Sequence, residues 1–180
     1  MIPTAAEVLS FWWDAGPAAW FSADPAFDAR VAAELGRAHE EAAAGRLSAW
    51  ADTPDGALAL ILLTDQVPRN AFRGTARAFA TDPIALATAR HALDAGFPRV
   101  FPPVARAFFY LPFEHAEDMG AQALSVDLFR ALGDRETYFY ALVHLDAIRR
   151  FGRFPHRNAV LGRVSTPEEE AYLASGGFRG

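Results

Sequence analysis

Five arginines, Arg149, Arg150, Arg153, Arg157 and Arg163, fall in a stretch that holds no acidic residue between Asp146 and Glu168. Its centre reads Phe151-Gly152-Arg153-Phe154-Pro155-His156-Arg157-Asn158. An earlier stretch, Asp65-Gln66-Val67-Pro68-Arg69-Asn70-Ala71-Phe72-Arg73-Gly74, repeats the theme of proline, Arg-Asn-Ala, an apolar residue, and glycine beside arginine. Guanidinium groups grip carboxylate and phosphate through paired N–H donors, and an Asn amide fixes orientation. Asp65, Gln66, Arg69, Asn70, Arg73, Arg153, His156, Arg157, Asn158 and Arg163 are therefore candidate contacts to a small anionic ligand. The expected place is a pocket where the two Pro-Arg-Asn loops meet. The competing reading is structural: carboxylates neutralise the arginines in a network that holds the loops.

Glu114, His115, Glu117 and Asp118 fall within five residues and could face these loops. A catalytic version of the site uses His115 or His156 as general acid and base, oriented by Glu114 or Glu117. His115-Ala116-Glu117 matches the first half of a zinc-deaminase signature, but the second half needs cysteines and the chain has none. No Gly-x-Ser-x-Gly elbow and no His-Glu-x-x-His motif is present. Whether any reaction is catalysed stays open. A metal site from Glu114, His115, Asp118 and His144 lacks the paired Glu-x-x-His pattern of di-iron bundles. Helix-capping acids and a packed histidine explain those residues more simply, so neither metal nor cofactor is expected.

The absence of cysteine excludes thiol nucleophiles, disulfides and thiolate metal sites. All 17 basic residues are arginine, which excludes Schiff-base chemistry and a P-loop lysine. A net charge of −5 argues against a general nucleic-acid binder. Phe151 and Phe154 do interleave with arginines, so a protein- or RNA-interaction module built on 149–163 is the alternative function. The longest apolar run, Ala57 to Leu63, is far short of the ~20 residues that span a bilayer. No basic segment opens the chain, and Glu7 and Asp14 interrupt its first apolar residues. A cytoplasmic, non-membrane protein is expected, with its oligomeric state unspecified.

Positioning these groups falls to helices. Thr4 and Glu7 form a capping box that opens a helix carrying Val8, Leu9, Phe11, Trp12 and Trp13, with Trp20 and Phe21 following in a loop. This aromatic group reads as core rather than as a ligand cage. Asp24-Pro25 opens a second helix with Phe27, Val31, Leu35 and Ala38 inward and His39 exposed among charges. Thr53-Pro54 opens a third, apolar on all sides from Ala57 to Leu63, which makes it the core spine and delivers Asp65 and Gln66 into the first loop. A fourth follows Asp82-Pro83, and a short aromatic one covers 104–110 until Pro112 cuts it.

A long helix is then predicted over 112–132, with Met119, Ala123, Val126 and Phe129 inward and His115, Asp118, Gln122 and Ser125 on a polar face. The next covers 135–151, with Tyr138, Leu142, Leu145 and Ile148 facing the core. The last begins at Thr166-Pro167-Glu168-Glu169. The expected fold is all-α: about eight helices packed as antiparallel pairs in a single domain over 1–180.

Three stretches, 65–74, Leu111-Pro112-Phe113-Glu114-His115-Ala116-Glu117 and 151–158, resemble the bacterial domain-of-unknown-function family 924. The resemblance runs from Val8-Leu9-Ser10-Phe11-Trp12 to the helix at Thr166. It implies a tetratricopeptide-like α-α superhelix and no established activity. The chain shows no tetratricopeptide consensus and no repeat of ~34 residues, so the peptide-binding habit of such arrays does not carry over.

Overall fold

The computed structural model describes residues 2–179, and among them there are helices and turns but no strand. The chain divides into two compact units, 1–112 and 113–180.

In the first unit, α1 (Ala5–Ala15) opens on the expected capping box: Glu7 N–H donates to Thr4 Oγ1, and Thr4 N–H donates to Glu7 Oε2 at 2.7 Å. A single turn, α2 (Pro17–Trp20), brings Trp20 back onto α1, where its indole N–H donates to Trp12 O at 2.7 Å. Trp12, Trp20, Phe27 and Phe108 pack ring against ring, with Trp12 wholly buried. The aromatic group is core.

The next helix, α3 (Pro25–Ala43), is capped by Asp24 and buries Phe27, Val31, Leu35, Ala38 and Ala42. His39 is buried too, contrary to the exposed position its charged neighbours suggested. It lies four residues after Leu35 and three before Ala42, on the buried stripe itself.

The core spine is longer and less regular than its sequence suggests. After α4 (Pro54–Ile61) the helix widens into a π turn over Leu62–Gln66 and continues as α5 (Val67–Ala71). The chain from Gly56 to Pro68 is buried throughout. Pro68 has no N–H, and Val67 N–H reaches back to Leu62 O, so the carbonyls of Leu63 and Thr64 lose their helical donors. Side chains replace them: His39 Nδ1 bonds Leu63 O at 2.8 Å and Thr81 Oγ1 bonds Thr64 O at 2.6 Å. The helix therefore runs through Asp65 and Gln66, where the sequence suggested an end. Beyond it, α6 (Asp82–Asp94) completes the packing around α4.

Pro112 does not begin a helix. It lies inside α7 (Pro103–Glu114), and the break falls at 115–118. There Asp118 caps α8 (Met119–Leu132) by accepting from Ala121 N–H at 2.7 Å. Gln122 Nε2 reaches back to the carbonyls of Glu114 (2.6 Å) and Ala116 (2.8 Å). These two side chains stop one helix and start the next, so the long helix expected over 112–132 is two.

In the second unit, α8 and α9 (Arg135–Phe151) are joined by Gly133 and Asp134, a connection short enough to make them an antiparallel pair. Their buried faces differ from the predicted stripes. Ala121, Gln122, Ser125 and Phe129 are inward on α8, and Ala141, His144, Ala147 and Ile148 on α9. Met119, Leu124 and Leu142 are exposed. Gly152, at φ 68°, ends α9 and turns the chain into the arginine-rich segment. That segment packs on α10 (Pro167–Ala174), and Ala147, Ile148, Phe154 and Tyr172 form the local core.

Candidate functional site

The two arginine-rich stretches belong to different units, and each closes an ion-pair network within its own. In the first unit Arg69 makes a paired contact with Asp82 (2.8 and 3.0 Å) and also reaches Asp65, through its carbonyl at 2.6 Å and its carboxylate at 3.1 Å. Burial alone would lower the Arg69 pKa, but Asp65 and Asp82 outweigh it and hold the guanidinium more strongly charged than usual. Gln66 Nε2 donates to Asp65 Oδ2, and Asn70 Nδ2 donates to Gln66 O. Arg73 pairs with both carboxylate oxygens of Asp28 (2.7 and 2.9 Å) and touches Asn70 Oδ1.

In the second unit Arg153 makes a paired contact with Glu169 (2.6 and 2.8 Å). Glu169 also accepts from Asn158 Nδ2 and from the N–H of Thr166. The Arg153 hydrogen bonds dominate in bringing its pKa down to about 2. Arg163 grips Glu117 with two nitrogens (2.7 and 2.9 Å), and the same carboxylate accepts from Phe154 N–H at 2.7 Å. Burial pushes the Glu117 pKa up, yet the donors of Arg163 and Phe154 bring it below the ordinary carboxylate value. Glu117 is thus a strap between 154 and 163. Phe154 is fully buried and so is not presented for stacking on a base, and the half-buried Phe151 packs on Tyr172.

A separate group of side chains in the second unit has chemistry to offer. His144, buried on α9, lies at its centre. Its Nδ1 is 2.8 Å from Tyr140 O and 3.2 Å from Glu114 Oε1. Both neighbours are acceptors, so Nδ1 carries the hydrogen and Nε2 the lone pair. The His115 ring lies 6.0 Å from His144, centroid to centroid. Phe178 covers His144 at 4.1 Å and His156 at 5.0 Å. The Arg157 guanidinium, also buried, lies 4.4 Å over Phe154, which itself packs edge-on to His144. Burial first, then His115, push the His144 pKa down to about 3, with Arg157 and His156 adding to the effect and Tyr140 O opposing it. A neutral imidazole at pH 7 follows.

Of the residues singled out in the sequence, Glu114, His115, His156 and Arg157 belong to this centre. Glu114, His115 and His144 each place a ligand atom within 4.8 Å of the others, an arrangement able to hold a metal ion. Asp118, weighed with them, is used instead as the α8 cap. His144, weighed with them as well, lies on the buried face of α9 with Ala141 and Ala147. Phe178 had no legible signal, because its role depends on where the segment after α10 is folded.

A solved structure of a protein of unknown function from Agrobacterium tumefaciens matches this one with a TM-score of 0.92 at 46% identity, covering 96% of this chain and 97% of that one. No curated protein matches the chain. The profile of a bacterial family of unknown function matches residues 8–177, which include both arginine-rich stretches and His115, His144 and His156. The chain belongs to that family, DUF924.

Proposed function

We propose that this protein binds a small phosphate- or carboxylate-bearing ligand at the imidazole–guanidinium centre of its second unit. Arg157 supplies the cation, and His115 and His156 supply hydrogen bonds from the half-buried rim. The observation that carries this reading is the gathering of two further imidazoles, His115 and His156, and a buried guanidinium around His144. An anion is a ligand that guanidinium and imidazole N–H donors together recognise. Arg69, Arg73, Arg153 and Arg163, each paired with a carboxylate in a loop network, act in this reading as scaffold.

The test is a thermal-shift screen of inorganic phosphate and of phosphorylated and carboxylated metabolites, run with chelator present. A binder raises the midpoint of wild type as its concentration passes the dissociation constant. The same compound should leave the folded His156→Gln and Arg157→Ala variants unshifted. If nothing shifts wild type, or if the variants respond as wild type does, the reading fails.

A further inference from the structure

Glu114 ends α7, His115 lies in the turn just after it, and His144 lies in the middle of α9. Three donor groups of two kinds therefore reach one point from separate elements of the second unit. We propose that Glu114, His115 and His144 form a binding site for a first-row divalent cation of the zinc class.

Two imidazoles with one carboxylate are a donor set that suits zinc and its neighbours, and three protein ligands leave a position open for water or an anion. With bonds of ~2.1 Å a tetrahedral site spaces its donors ~3.4 Å apart. The present spacing, at most 4.8 Å, closes to that value by a shift of up to about 1.4 Å. His115 is the group with room to make it, being half-buried and outside the helix. Glu114 and His144, both buried, supply the fixed side.

His144 also has the outer support that metal-binding histidines need. Its Nδ1–H is held by the Tyr140 carbonyl, which fixes the ring and leaves Nε2 as the donor atom, toward which Glu114, now 3.2 Å from Nδ1, would turn. The Phe178 and Phe154 rings pack on the same imidazole and restrict water around it. This site does not require the anionic ligand, and either can be present without the other.

The test uses full-length protein stripped with chelator and returned to phosphate-free buffer. Titration with Zn2+ should show saturable, stoichiometric binding and a raised thermal midpoint. Co2+ should give the visible absorption of a four-coordinate site with nitrogen and oxygen donors. His115→Ala, at a half-buried position, should fold as wild type by near-ultraviolet circular dichroism and bind at least about tenfold more weakly. Glu114→Gln should do the same, as a second variant that keeps side-chain volume. Absence of saturable binding to folded wild type overturns the proposal. Wild-type affinity in both variants also overturns it, since the metal would then sit elsewhere. Because metal is titrated without phosphate and anions are screened with chelator, failure of one reading leaves the other standing.

Discussion

The Nδ1–H of His39 donates to the carbonyl oxygen of Leu63 at 2.8 Å, joining the buried stripe of α3 to the π turn that follows α4. The contact exists because Pro68 disturbs the helix ladder one turn later and leaves that carbonyl without a backbone donor. A buried carbonyl stripped of its partner costs about 1–3 kcal/mol. His39→Leu should therefore lower stability by that amount in urea unfolding, while His39→Gln, which restores a donor, should recover part of it. Equal losses for Leu and Gln would show that packing rather than the hydrogen bond is at stake.

Gly56 faces the carbonyl of Trp50, and an added Cβ would lie 2.2 Å from that oxygen and 2.7 Å from Thr53 Oγ1. Both are parts of the turn that starts α4, so neither can swing aside cheaply. Gly56→Ala, which ordinarily favours a helix, should here destabilise by about 1–3 kcal/mol. A thermal midpoint at or above wild type would contradict the close approach.

The two loop networks should respond differently to mutation. Glu169 is buried and accepts from Arg153, Asn158 and Thr166 together, so Glu169→Ala strands three donors and should cost about 1–3 kcal/mol. Arg73, nearly half exposed, pairs with Asp28 near solvent, and Arg73→Ala should cost less than about 1 kcal/mol. Denaturant titration of both variants compares them directly, and a reversed order would refute the assignment.

Acid should weaken the fold first through His144. Its pKa stands near 3 in the folded protein against an ordinary 6.5, so the unfolded chain binds a proton that the folded one refuses. Stability is then full above pH 6.5 and falls toward pH 3, by at most ~1.4 kcal/mol per pH unit. The groups that face this imidazole are Glu114 and His115 at the end of α7, and His156 and Arg157 from the turn before α10. Glu169 acts in a lower window: with its pKa brought from 4.5 to about 2, its contribution is lost only as pH falls through that range. Between 6.5 and 4.5 His144 thus contributes to the slope and Glu169 does not. His144→Gln should flatten it, and an undiminished slope in that variant would assign it to another group.

Much of this was legible from residue pattern. The capping boxes at Thr4 and Thr166, the proline starts at Asp24 and Thr53, and the all-apolar run from Ala57 to Leu63 were local signals and formed as read. The failures share a different cause. His39 was misplaced because its sequence neighbours are charged, although its helical neighbours Leu35 and Ala42 are core. Pro112 was read as a start although the side chains that make the actual break lie just beyond it: Asp118 caps α8, and Gln122 reaches back to the carbonyls of Glu114 and Ala116. For the arginines, sequence gave the chemistry but not the partners. Arg73 meets Asp28, 45 residues away, and Arg163 meets Glu117, 46 residues away. Pairings at such range depend on the finished fold. Glu114, His115, His156 and Arg157 were singled out, and His144 was weighed with Glu114 and His115 as a metal ligand but not with His156 and Arg157.

The paired ion contacts that hold both loops use guanidinium on the cationic side throughout. Reagents directed at amines, such as acylating agents and aldehyde crosslinkers, would therefore leave these contacts chemically intact. Mild alkali would not discharge them either, since a guanidinium keeps its proton where an ammonium group begins to lose its own. In strong base the carboxylate pairs of Arg69, Arg73, Arg153 and Arg163 should outlast most other charged contacts, and labelling chemistry that maps lysine surfaces would pass over this side of the molecule's architecture without a trace.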